Sequence, residues 1–208
     1  QGRKVQVEFV SANPTGPLTI AHGRQASFGE SLFRLLEETG YKVDKEYYLN
    51  DRGRQIEILG KSLFIHYLQT LGKNVSLPED GYQGDYLKEM AERLNKRYGS
   101  SLKDKPASFF EKMAISENLK LIKKDLKDFG IRFTHFFRES KLFKEKKIEE
   151  SIRVLRKKGY LYKKDGALFF KSISGYSRFI ITVLPFMHCK FKKLFFLFSS
   201  FPAILIHL

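Results

Sequence analysis

The run Lys4-Val-Gln-Val-Glu-Phe-Val10, followed by Ser11-Ala-Asn-Pro-Thr-Gly-Pro17, decides the fold class of this 208-residue chain. Val5, Val7 and Phe9 alternate with Lys4, Gln6 and Glu8, the period of a half-buried strand, and two prolines and a glycine then enforce a loop. From about His22 to Thr39 the apolar residues Ala26, Leu32, Phe33, Leu35 and Leu36 fall at helical spacing. Gly40 supplies a stop, and Lys42 to Leu49 reads as a second strand. Strand, loop, helix and strand in that order make the βαβ unit of a doubly wound parallel sheet, an α/β fold whose ligands sit beyond the carboxyl ends of the strands. The loop from Asn13 to Pro17 is therefore the first place to look for chemistry. Pro14 and Pro17 stiffen it, Gly16 admits a close backbone approach, and a helix beginning near His22 points its free N–H groups at the crevice, which favours a phosphate.

Working outward, Arg52 to Leu71, Tyr86 to Tyr98, Ala107 to Phe129 and Glu145 to Lys158 each carry one apolar and one charged face, and together they predict a helical insertion. Gly130 to Phe137 alternates like a strand, and Tyr160 to Phe170 folds back over Lys-Lys-Asp-Gly as a hairpin. The composition changes near Lys171 to Gly175. After Asp165 there is no Asp or Glu, and Phe179 to Leu208 is crowded with Phe, Leu and Ile. The final run without Lys or Arg, Leu194 to Leu208, is shorter than the ~20 residues of a membrane-spanning helix and contains Pro202, so stable insertion is not expected. Phe179 to Leu184, ended by Pro185, has the form of an edge strand. The rest is expected to pack loosely or to promote self-association of an otherwise monomeric chain.

The charge sum is 38 basic against 23 acidic residues, or +15, which points to a polyanionic partner, nucleic acid or an anionic membrane surface, unless the surface is merely basic. A lone cysteine, Cys189, rules out an internal disulfide framework and makes a reducing, cytoplasmic setting the default. His22, His66, His135, His188 and His207 are too scattered to form a zinc site, so no protein-held metal is expected. The start, Gln1-Gly-Arg-Lys-Val, lacks an initiator Met and the apolar core of a secretory signal, and reads as the front of a fragment.

The segment from Val7 to Arg24, with Tyr47-Tyr-Leu-Asn-Asp-Arg-Gly-Arg-Gln-Ile56, resembles the arginyl-tRNA synthetases, class I enzymes that carry V-E-F-x-S-A-N-P-T-G-P-L-H-I-G-H-G-R and Y-Y-x-N-D-x-G-x-Q-I. The likeness continues through Gly84-Asp-Tyr and Gly159-Tyr-Leu-Tyr to Asp165-Gly-Ala-Leu-Phe. The resemblance implies the first half of a Rossmann-like catalytic domain, using ATP with Mg2+ to activate L-arginine for transfer to tRNA-Arg. It places Pro14, Thr15, Gly16, Thr19, Ala21, His22 and Gly23 around the nucleotide, with His22 and a weakened Thr19 as catalytic groups. It places Glu8, Ser11 and Asn13 around arginine, and Asn50, Asp51 and Gln55 as site-lining candidates. A carboxylate suits the arginine task because a guanidinium forks onto it. Without the resemblance, His22 would read as an incidental surface residue, Glu8 as an outward-facing strand residue, and Asn50, Asp51 and Gln55 as a cap and a solvated helix start.

Departures from the family pattern matter as much as the matches. Thr19-Ile-Ala-His22 stands where the family has His-Ile-Gly-His; losing one transition-state donor costs ~10²–10³ in rate, and the Ala21 methyl sits where the adenine would pack. The family's second half-sheet and its K-M-S-K type loop have no counterpart here. An abrupt end of family character together with a shift in composition is what a truncated or frameshifted coding sequence gives. The sequence thus divides at 1–172, the partial catalytic domain, and 173–208, a divergent apolar tail. Three functions compete: an arginine-tRNA ligase, an inactive half-domain with residual RNA affinity, and, least favoured, a membrane-associated basic protein.

Overall fold

The computed structural model describes residues 2–164, 167–170, 178–179, 194–197 and 204–207. Strand β1, Lys4–Glu8, leads through a loop to helix α1, Ile20–Glu38, and then to β2, Lys42–Leu49. The insertion follows as α2, Arg54–Thr70, α3, Asp85–Tyr98, and α4, Ala107–Asp128. The chain returns to the sheet as β3, His135–Arg138, continues in α5, Glu139–Lys144, and α6, Lys147–Lys157, and forms the hairpin β4, Leu161–Lys164, with β5, Ala167–Phe170. Short strands β6, Arg178–Phe179, β7, Leu194–Leu197, and β8, Ile204–His207, complete the described elements.

The main sheet has the order β3-β2-β1-β8-β7, and β4-β5-β6 form a second sheet. β1 pairs parallel with β2, Glu8 opposite Glu46, and β2 pairs parallel with β3. This is the 3-2-1 half of a doubly wound sheet. On the other side of β1 lies β8, antiparallel, with β7 beyond it.

Alternation in β1 sends Val5, Val7 and Phe9 into a core shared with Ala26 of α1 and with Leu119, Ile122 and Leu126 of α4. Gly29 of α1 lies against Phe9 so closely that an added Cβ would fall 2.3 Å from the ring. A second core lies within the insertion, where Leu59 and Leu63 meet Leu87, Met90, Phe110 and Ala114. Helix α4 therefore belongs to both cores, its front half in the insertion and its rear half on the sheet. A third, smaller cluster of Tyr48, Phe137, Leu142 and Ile148 includes residues of α5 and α6.

Three elements differ from the sequence reading. The strand expected over Gly130 to Phe137 shrinks to His135–Arg138, the stretch that finds partners on β2. The single helix expected over Glu145 to Lys158 begins only at Lys147, because Lys146 adopts a left-handed φ of 53°, and α5 precedes it. The α1 helix starts at Ile20 rather than near His22. Residues 180–184 of the expected edge strand lie outside the described residues, and Arg178–Phe179 pairs with β5. Among the described residues no helix is long and apolar enough to cross a membrane.

Candidate active site

The chain leaves β1 through two residues in the left-handed region, Val10 at φ 64° and Ser11 at φ 39°. A non-glycine residue held there costs ~1–3 kcal/mol, so surrounding contacts must impose the conformation. The Ser11 N–H donates to Phe9 O at 2.9 Å. Its hydroxyl donates to Glu8 Oε1 at 3.0 Å and accepts from the Tyr48 N–H at 2.9 Å.

Beyond Ser11, side chains from three different elements take the backbone carbonyls of the loop. Tyr47 of β2 donates its hydroxyl to Ala12 O at 2.8 Å, Asn118 of α4 donates Nδ2 to Pro14 O at 2.9 Å, and Tyr86 of α3 donates its hydroxyl to Thr15 O. Burial pushes the Tyr86 phenol up to about 12 and raises that of Tyr47 as well, so both remain protonated donors. Asn13 Nδ2 meets Oε1 of Gln55, in the first turn of α2, at 2.7 Å. Among the described residues no acceptor pairs with the backbone N–H of Asn13, Thr15 or Gly16. The loop thus turns its carbonyls toward the protein and keeps donors in hand, the polarity of an anion cradle.

Thr19 is the N-cap of α1 and His22 its third residue, and the two form a reciprocal capping box. His22 Nδ1 lies 3.0 Å from the Thr19 N–H, which can only donate, so in the neutral ring Nδ1 is the acceptor and the proton sits on Nε2. A helix start, with its partial positive charge, thereby also carries a ring N–H donor. Ala21 is exposed, and Gly23 has open space where a Cβ would stand.

Of the arginine candidates, Glu8 lies on the sheet face opposite Val5 and Val7, Ser11 is hydrogen-bonded to it, and Asn13 stands exposed on the loop. Burial raises the Glu8 carboxyl, partly offset by the Ser11 hydrogen bond. Its register neighbour Glu46, only 6% exposed, is pushed up to about 7 by burial first, then by the Glu8 charge. A cleft of about 750 Å³ opens beside Glu46 and Gln6, with Arg138, Lys141 and Lys144 on its lining. Glu46 was not among the sequence candidates, since a charged residue in a strand otherwise reads as solvent-facing.

The remaining candidates separate. Gln55 joins Asn13, as above, but Asp51 is used elsewhere: its Oδ1 accepts from the Ser140 N–H at 2.8 Å, and its Oδ2 from the Ser140 hydroxyl at 2.8 Å and from Arg138 at 3.2 Å. That carboxylate fastens the end of β2 to the start of α5. Asn50, with its amide nitrogen turned toward Glu139, lies 2.6 Å from Oε2 of that carboxylate. Tyr86 belongs to the Gly84-Asp-Tyr match but carried no site role from sequence, and Asn118 carried none either, although an asparagine within the apolar stripe Ala114, Ile115, Leu119 and Ile122 was a readable signal.

Residues 1–183 match the family described as tRNA synthetases class I (R), catalytic domain. The chain is 46% identical over 175 residues to an arginine–tRNA ligase of Oceanobacillus iheyensis, covering 82% of this chain and 32% of that protein. Over 176 residues it is 45% identical to the arginine–tRNA ligase of Citrifermentans bemidjiense, again covering 32% of the relative. The chain therefore spans about a third of the length of these curated relatives. An arginyl-tRNA synthetase structure from Campylobacter jejuni superposes with a TM-score of 0.76 at 31% identity, over 86% of this chain and 40% of that one. A Thermus thermophilus arginyl-tRNA synthetase shares the fold with a TM-score of 0.58 at 18% identity, over 97% of this chain and 39% of that one.

Proposed function

This chain belongs to the family of class I arginyl-tRNA synthetase catalytic domains, and from that premise we propose that its β1–α1 loop is the nucleotide half-site of an arginine-tRNA ligase. The observation that carries the reading is the loop's polarity: carbonyls bound inward, the N–H groups of Asn13, Thr15 and Gly16 without a described acceptor, and His22 Nε2–H at a helix start. ATP phosphates would take those donors. In the reaction the arginine carboxylate attacks the α-phosphorus, the bond to pyrophosphate breaks, and His22 donates a hydrogen bond to the charge that develops on the α-phosphate oxygens. Pro14, Thr15, Gly16, Thr19, Ala21 and Gly23 line the nucleotide, with Thr19 serving chiefly to hold His22. Glu8 faces the arginine cation, Ser11 sets the Glu8 carboxyl, and Asn13 and Gln55 brace the loop between them. Asn50 and Asp51 act through the β2–α5 junction.

Arginine then passes to the terminal ribose of tRNA-Arg. Magnesium accompanies ATP and neutralises its phosphates; among the described residues no group of three His, Cys, Asp or Glu assembles to hold a metal. We take residues 1–172 as the partial catalytic unit, monomeric and cytoplasmic, and 173–208 as a divergent segment whose β8 and β7 extend the main sheet beside β1.

The test is arginine-dependent pyrophosphate exchange beside ATP titration followed by amide NMR. These 208 residues are expected to shift the Asn13, Thr15 and Gly16 resonances with Mg-ATP, and His22→Ala to weaken a phosphate-dependent part of that response. Exchange is expected to stay at the no-enzyme level, because the K-M-S-K type loop is not among these residues. Loop resonances that stay unmoved by Mg-ATP would overturn the half-site reading, and arginine-dependent exchange well above background would overturn the expectation that these residues alone are inactive.

A further inference from the structure

We propose that Tyr86 and Asn118, both on the helical insertion, are positioning residues for the nucleotide loop: they take the carbonyls of Thr15 and Pro14 and so keep the loop's N–H groups turned to the crevice. The inference rests on the nucleotide reading of the loop given above.

Three independent features support it. The first is the cost of the Asn118 arrangement. Its side chain is fully buried and donates Nδ2 to Pro14 O, yet its Oδ1 has no partner among the described residues. A buried orphan acceptor is unfavourable, and an apolar residue of similar volume would avoid it. The amide is thus poorly explained by packing, whereas its one hydrogen bond reaches the candidate loop.

The second feature is the seat built for Tyr86. Gly84 lies so close that an added Cβ would fall 2.4 Å from the ring, and on its other side the phenol reaches Gly16, whose Cβ would stand 3.4 Å away. Two residues without side chains, one in the loop and one before α3, let the hydroxyl reach Thr15 O. The third is position. Asn118 stands on α4 between Ala114, which packs in the insertion core, and Leu119, which packs in the sheet core. The two hydrogen bonds therefore bolt the loop to the insertion beside the junction of the cores. Displacement of the insertion by a partner would pass directly to the cradle.

Tyr86→Phe deletes only the hydroxyl and keeps both glycine contacts, and Asn118→Leu removes the donor together with the orphan acceptor. The parent chain and both variants are compared by melting temperature, by amide order parameters of residues 13–16, and by affinity for Mg-ATP. The expected result is melting within a few degrees of the parent, order parameters falling from ~0.85 toward 0.6, and ATP affinity lower by roughly three- to tenfold for each variant. A packing role alone would move melting and leave the rest. If the parent binds ATP and both variants keep its order parameters and affinity, the positioning role is overturned while the half-site stands. If the parent shows no ATP response in the loop, the nucleotide reading falls and this inference falls with it.

Discussion

Glu46 shows how one buried carboxyl leaves a mark on the whole chain. Its pKa rises from 4.5 to about 7 because burial, and then the charge of Glu8, disfavour the ionised form. The unfolded chain gives up this proton near pH 4.5 and the folded chain near 7. Stability therefore falls as pH rises through that window, and above it a constant cost remains. The cost is at most about 3.5 kcal/mol, from the shift converted at ~1.4 kcal/mol per unit. Glu46→Gln should raise the melting temperature at pH 8, leave it nearly unchanged at pH 4, and flatten the slope between. Equal melting of parent and variant at pH 8 would show that the carboxyl is solvated. At this scale the sequence was only partly legible. Val5, Val7 and Phe9 were readable as core by alternation, which put Glu8 on the outer face, whereas Glu8 is half-buried and its register neighbour Glu46 is buried.

Helices α2 and α4 pack tightly against each other in the insertion core. Gly60 permits this, since a Cβ there would lie 2.8 Å from the Glu111 backbone nitrogen and 3.0 Å from its Cα. Backbone atoms of a helix cannot step aside, so Gly60→Ala should destabilise by ~1–3 kcal/mol despite the ~1 kcal/mol gain in helix propensity. Gly23→Ala, in α1 with nothing within 4 Å, should instead stabilise by up to ~1 kcal/mol. Denaturant titration of the two variants checks the contrast; similar shifts would mean that the helices separate easily. Sequence periodicity located β2 to the residue and α4 to within one, because a long apolar stripe fixes both type and extent. It missed the break at Lys146, where neither Gly nor Pro marks the left-handed turn. The tethers of the loop were less legible still. Tyr86 stands 71 residues from Thr15 and Asn118 stands 104 from Pro14, so no local pattern connects them.

For the whole molecule the net charge of +15 sets the expected behaviour toward RNA. Lys123, Lys127, Lys157 and Lys158 offer phosphate contacts, whereas Lys124 is already paired with Asp128 at 2.5 Å. Binding should be weak, tolerant of sequence and steeply reduced by salt. Titration at two ionic strengths suffices, and a preference for one tRNA that survives high salt would contradict it. The partial-domain division predicts that limited proteolysis cuts between β5 and β7 and leaves the β1–α1–β2 unit intact; its loss on cleavage would join 173–208 to the catalytic unit. The antiparallel pairing of β1 with β8 also has a temporal side. Glu8 lies opposite Leu205, so about 200 residues separate the partners. At ~5–20 residues per second of synthesis, β1 emerges roughly 10–40 s before the strand that covers its second edge. Throughout that interval a nascent chain displays an open row of backbone donors and acceptors, and its yield in a cell should depend on how quickly a chaperone shields them.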